Sequence, residues 1–432
     1  RCYRCLLVIH GTAVDLSLSL ISLRHLVSDR NHDNESLTSA LKQMTLNYIR
    51  SLGPRMLSYL QSDNNSRQVE LLTSHQMPEL LKAPYIFTGY RPVGQPWKYY
   101  FSSLLTLHNE SVNVWTHVGG FWLVLLRLCH YFTQLTTYDK MIWPVVCFGF
   151  CSLLNLILSS VAHLLHSKSC WYHYVLFLMD YMGVTTFCFG SGVAAMYATS
   201  SKFYHEFMYT AFLPVNVFLG LFSFYTCCLA KFHLTHQHTK RKVSMMAGIA
   251  THGFFAASPM FSRYMQCLSE SECSLASLNH LTLFLMLTFI CAVSFSVHVP
   301  ESLMPGSFDV IGHGHQIFHI LAVLVMLGMV RAMDIDINET KTGEYLEPNL
   351  LHITLSLMVL LVLEVATLMY YAQRSVLRCV ARDALDSAIV DANEEQTNSP
   401  TPCSESLSRT HSTSNCTNLY LDIDEIERKK EI

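Results

Sequence analysis

Five residues in apolar surroundings carry the chemistry this sequence suggests. Ser159-x-x-x-His163 closes one apolar run, Asp180 lies inside the next, and His315-x-x-x-His319 opens a third. Residues four apart share a helix face, so His315 and His319 can hold one ion together while Ser159 supports the site beside His163. Polar and ionisable side chains are costly in a bilayer, which makes each of these a functional candidate by default. Three imidazoles with an open fourth position describe a zinc site that keeps a water. Asp180 would then be the neighbouring carboxylate that orients such a site or transfers a proton. The plainer reading is that these histidines cap and cross-link helix ends, because the chain has 22 His and His313 stands next to the pair.

The elements that must position them are membrane-spanning helices. Of 432 residues 51% are hydrophobic and 14% charged, against roughly 25% charged in ordinary soluble domains. The net charge of −3 removes the basic face a nucleic-acid binder needs. The 15 Cys are scattered through a long apolar chain, which does not fit a small disulfide scaffold. Eight apolar stretches approach the ~20 residues that cross a bilayer: 114–132, 141–165, 174–199, 207–229, 243–261, 277–299, 315–330 and 350–371. They predict an all-α integral membrane protein, since lipid leaves no partner for unpaired backbone groups.

Charge orients the bundle. Lys231, Lys240, Arg241 and Lys242 form the densest basic connection, which predicts a cytoplasmic loop and cytoplasmic N- and C-termini. The far side receives Asn338-Glu339-Thr340, a glycosylation sequon. Asn34 and Asn64 begin sequons on the opposite side and weigh against this assignment less than the basic loop weighs for it. All five site residues then sit near the cytoplasmic ends of their helices. Three regions are expected: an N-terminal cytoplasmic region at 1–83, a membrane domain at 84–375, and a disordered cytoplasmic tail at 376–432 rich in Ser, Thr and acids. Within the first region, 1–43 reads as upstream or non-native sequence with Met44 a natural start. Ser399-Pro400 and Thr401-Pro402 read as phosphorylation sites. Arg127 is expected to snorkel to headgroups, and Glu364 to face the bundle or a partner helix.

Glu110-Ser111-Val112-Asn113-Val114-Trp115-Thr116-His117, Ser159-x3-His163, Asp180 and His315-x3-His319 together resemble the ordered signature of the progestin and adipoQ receptor family. Tyr85-Ile86-Phe87-Thr88-Gly89-Tyr90-Arg91-Pro92 resembles the family's segment before its first span, and the resemblance runs from about Pro84 to Tyr371. The Gly89–Pro92 form, Ala162-His163-Leu164-Leu165 and Pro305-Gly306-Ser307 are similar to the membrane progestin receptor branch, as is an eighth helix after the seven-helix core. This resemblance implies a seven-helix core with its N-terminus inside, and zinc on His163, His315 and His319, with Asp180 and Ser159 supporting it through water. It also implies a plasma-membrane receptor for progestogen steroids that signals rapidly, often through G proteins. Glu110 and Asn113 are expected to brace the first span near the site, or simply to cap it.

Two function classes follow. One is a steroid receptor with a membrane lipid environment and an intracellular partner. The other is a zinc-dependent lipid amide hydrolase of ceramidase type, in which Asp180 would shuttle the proton. No motif identifies the residues that would touch a steroid.

Overall fold

A computed structural model describes residues 70–134, 142–234, 237–271, 273–339 and 348–398. The expectations for Met44, Asn34, Asn64, Ser399 and Thr401 lie outside these residues. The chain divides after Gln68, and the architecture below is that of the unit from Val69 onward.

Eight long helices form among the described residues: α1 (Ser111–Gln134), α2 (Ile142–Leu165), α3 (Cys170–Ala194), α4 (Phe212–His233), α5 (His238–Ser269), α6 (Asn279–Ser296), α7 (Gly314–Asp334) and α8 (Leu350–Asn398). Each overlaps one of the eight predicted stretches. No strand occurs among the described residues; the isolated bridge Leu72–Tyr90 is the β-type pairing recorded there. Six of the eight are long and apolar enough to cross a membrane. The exceptions are α5, which opens on Thr239-Lys240-Arg241-Lys242, and α7, which carries His315, Gln316 and His319.

Antiparallel succession puts the start of α1, the end of α2, and the starts of α3 and α7 at one end of the bundle. Helix α3 lies inside, packed on α2, α4, α5 and α8, while α7 packs on α1 and α6. Two glycines permit close approaches beside the site helices, as small residues do at helix interfaces in membranes. A Cβ at Gly183 would meet the Cα of Asn155 at 2.9 Å, so α2 and α3 can touch backbone to backbone one turn from Asp180. A Cβ at Gly120 would run into Val323 Cγ2, so this glycine serves α1–α7 packing within the chain.

Local chemistry sets the ends. Ser169 caps α3 by accepting from the Tyr172 amide. Helix α4 starts five residues later than the hydropathy predicts, after a separate short helix, Lys202–Met208, and with Pro214 in its first turn. Helix α8 runs past the expected tail boundary at 376, as far as Asn398. Ala381, Ala384, Leu385, Ala388 and Ile389 keep a helical apolar spacing beyond the span among strong helix formers. Residues 399–432 of the expected tail lie outside the described residues.

Helix α8 is fastened to the bundle rather than loosely appended. Glu364, buried mid-helix, accepts from Thr185 Oγ1 at 2.6 Å and Thr186 Oγ1 at 3.0 Å. Trp171 Nε1 donates to Ala372 O at 3.2 Å, Arg378 donates to Phe232 O, and Cys170 pairs with Cys379. A second disulfide joins Cys267 and Cys273. Neither pair has a sequence signature, because the cysteines are scattered along the chain. Arg127 departs from the snorkelling expectation too: it binds Asp334 Oδ2 at 2.7 Å, tying α1 to the far end of α7. An aspartate within reach offers an opposite charge that headgroups would otherwise supply.

Candidate metal centre

The end of α2 and the first turns of α7 bring three imidazoles together. His315 Nε2 lies 3.3 Å from His163 Nε2 and 3.2 Å from His319 Nε2. One nitrogen from each of the three falls within 4.8 Å of the others, with His163 and His319 buried and His315 half-buried. Three nitrogens around one tetrahedral ion at ~2.0–2.1 Å sit about 3.3 Å apart. The two distances from His315 match that spacing, and the group as a whole could hold one metal ion.

The outer ring nitrogens decide which lone pairs face inward. His163 Nδ1 is 2.7 Å from Glu110 Oε2, and His319 Nδ1 is 3.1 Å from Asn113 O. A carboxylate and a carbonyl can only accept, so both Nδ1 atoms carry protons and both Nε2 atoms present lone pairs to the centre. His315 Nε2 lies 3.3 and 3.2 Å from these two atoms and completes a set of three imidazole nitrogens, the kind of donor set a zinc ion takes.

Glu110 and Asn113 thus come to the site directly. Asn113 Nδ2 also donates to Glu110 Oε2 at 2.6 Å, linking the two residues that touch ligands. Asp180 is buried on α3 with Oδ2 3.8 Å from His163 Nε2, and Ser159, one turn before His163, is buried and interacts with it. His313 stays apart: it is the N-cap residue of α7, and its Nε2 faces Asn109 O at 3.2 Å. Asn338 lies at the opposite end, in the last turn after α7.

Sequence reasoning missed a polar chain behind Glu110. Glu110 Oε1 lies 3.5 Å from His166 Nε2, His166 Nδ1 lies 3.3 Å from His173 Nδ1, and His173 Nε2 lies 2.9 Å from Lys231 Nζ. One set of tautomers satisfies the two hydrogen-bonded links, with Lys231 donating to His173 and His173 to His166, while His166 Nε2 stands at ion-pair distance from Glu110 without a hydrogen bond. This corrects the assignment of Lys231 to the basic loop: it sits buried in the last turn of α4, its ammonium 4.6 Å from the Phe177 ring centre. The signal was hidden because a lysine at a span's end looks identical in sequence whether it points to water or inward. Lys240 keeps the expected exposure, while Lys242 donates to Phe295 O at 3.2 Å.

Comparison with known proteins places this bundle. Residues 105–330 match the family described as Haemolysin-III related. Human membrane progestin receptor beta is 33% identical over 306 residues, which cover 69% of this chain and 85% of that one. Human membrane progestin receptor alpha is 33% identical over 262 residues, covering 60% and 75%. The alpha-B receptor of Danio rerio is 31% identical over 310 residues, covering 69% and 86%.

Proposed function

The chain belongs to the Haemolysin-III-related, progestin and adipoQ receptor family, and from that premise we propose that this multi-pass membrane receptor binds a progestogen steroid and holds a zinc ion among α2 and α7. The observation that carries the ligand class is the similarity, over most of the chain, to relatives named membrane progestin receptors. A flat apolar ligand needs apolar walls and a few polar anchors, which a bundle with this composition can supply. Membranes from cells expressing the chain are expected to bind labelled progesterone saturably, with weak competition by cortisol. Absence of saturable binding for any steroid would remove the ligand assignment.

We place the metal end, the termini and the Lys240–Lys242 segment on the cytoplasmic side of the plasma membrane, on the positive-inside rule. The disulfides do not decide the face, since Cys170–Cys379 lies at the metal end and Cys267–Cys273 at the other. A C-terminal epitope tag is expected to stain only permeabilised cells; staining of intact cells would reverse the orientation.

Coupling to a heterotrimeric G protein fits the arrangement, because Glu110–His166–His173–Lys231 links the metal end of α1 and α2 to α3 and the end of α4. A ligand shifts such an element only by its difference in affinity between two arrangements of these helices. The second reading, a lipid amide hydrolase, draws on one observation: the Asp180 carboxylate is 3.8 Å from the imidazole cluster. Zinc, when bound, supplies Lewis-acid polarisation and an acidified water. For this chain's part, Asp180 is within reach to take and return a proton, and Glu110 holds His163 in the tautomer that ligates.

A further inference from the structure

The strap before α1 makes contacts that the receptor reading does not use. Gly89 turns it with φ +83°, a left-handed conformation that favours glycine, and a Cβ there would also press on Asn109 N at 3.2 Å and Val310 Cγ2 at 3.1 Å. On one side of this turn, Thr88 donates from both its amide and its hydroxyl to Asp309 Oδ2, at 2.8 and 2.7 Å. Gly89 O accepts from Asn109 N at 2.9 Å, beside Glu110. On the other side stands Arg91, only 1% exposed.

Arg91 spreads its guanidinium over the end of α2. Nη2 donates to His163 O at 2.7 Å, and Nη1 donates to Leu164 O at 2.5 Å and Ser103 Oγ at 2.9 Å. Ser167 Oγ lies 3.5 Å from Nη2. The last carbonyls of a helix have no intrahelical partner and form its negative end, so a planar cation that binds two of them fixes the rotation and height of that turn. Burial pulls the Arg91 guanidinium down to about 10, which leaves it charged near neutral pH. The carbonyl it holds belongs to His163 itself.

We propose that Arg91 is a positioning residue of the metal centre. Through Arg91 the strap grips the turn that carries His163. Through Thr88 and Asp309 it grips the loop that leads into α7 and its pair, His315 and His319. The strap thereby sets the separation of the two ligand-bearing helices, which adjoin at the Nε2–Nε2 distance of 3.3 Å. Lysine cannot replace this fork, because its single ammonium has no fixed planar geometry.

This inference rests on the zinc reading, and the experiment separates the two. Full-length protein purified in detergent is titrated with zinc against a chromophoric chelator, and with Co(II) to read its visible ligand-field bands. Arg91→Gln is expected to weaken zinc roughly 10- to 100-fold, the range seen when groups that orient ligands are removed, and to shift or dim the cobalt bands. Arg91→Lys should fall between wild type and Arg91→Gln. Lys168→Met serves as the control. Lys168 holds Gln95 O at 2.6 Å in the same region without touching the His163 turn, so its loss should leave affinity and bands unchanged. Absence of metal binding by the wild type would remove the zinc reading. Metal binding by the wild type with unchanged affinity and bands in Arg91→Gln would overturn the role of Arg91. If Arg91→Gln does not fold, Arg91→Lys together with Ser103→Ala loosens the same fork, and wild-type affinity in that double variant overturns the proposal equally.

Discussion

Replacing His163, His315 or His319 singly by Ala is expected to cut zinc affinity by on the order of 10²-fold, from an occupancy of about one ion per chain. Structural zinc sites bind with ~10–16 kcal/mol, so removing one ligand of four costs about 3 kcal/mol. The three substitutions should act alike, because each residue offers one nitrogen to a group whose ligand atoms lie within 4.8 Å of one another. His313→Ala should leave the metal in place: its ring faces the Asn109 carbonyl and its backbone caps α7. Metal analysis of the purified variants reads this directly. An equal loss from His313→Ala would mean that the pair on α7 is His313 with another residue. Glu110→Gln gives a finer result within the same series. Gln can keep one hydrogen-bond acceptor for His163 Nδ1 but not the charge, so a partial loss of affinity follows. Removing zinc with a chelator should lower the melting temperature of the wild type and leave that of the triad variants nearly unmoved, since a ligand stabilises only the state that binds it.

The residues that were legible in the sequence share one property. His163, His315 and His319 stand inside apolar runs, where a polar side chain is conspicuous, and the i, i+4 spacing places two of them on one face. The spans were legible for the same reason, since lipid leaves the backbone little choice but helix. What escaped is pairing between residues far apart in the chain. Lys231 and His173 meet at 2.9 Å across 58 positions, and nothing near Lys231 separates it from Lys240, which faces water. Arg127 looked like a snorkelling residue because Asp334 lies 207 positions away. Arg91 stood in the quoted motif with no role, because its partners are backbone carbonyls of α2, and a carbonyl has no signature in sequence. The extent of α8 escaped for another reason. Beyond Cys379 the composition turns polar, and polarity marks the end of a membrane span but not the end of a helix.

Asp180→Asn is expected to leave zinc bound and saturable progesterone binding near wild type, and to separate the receptor from the hydrolase. The substitution keeps the size and planarity of the side chain and removes its ability to take a proton. His163 and His319 do not depend on it for their tautomers, since Glu110 and the Asn113 carbonyl set those. Ser159 keeps a polar partner at position 180, because an amide offers both a donor and an acceptor. Proton transfer by a positioned side chain contributes typically 10²–10⁴-fold. A chain that hydrolyses lipid amides should therefore lose ceramide cleavage by about that factor in Asp180→Asn, with zinc content unchanged. The receptor reading predicts instead no fatty-acid release above background from labelled ceramide in either protein, alongside equal steroid binding. Release by the wild type that disappears in Asp180→Asn would move the function of the site to hydrolysis. Loss of steroid binding in the variant with metal retained would place the Asp180 carboxylate in the steroid pocket, giving it a polar anchor on α3 next to the metal end.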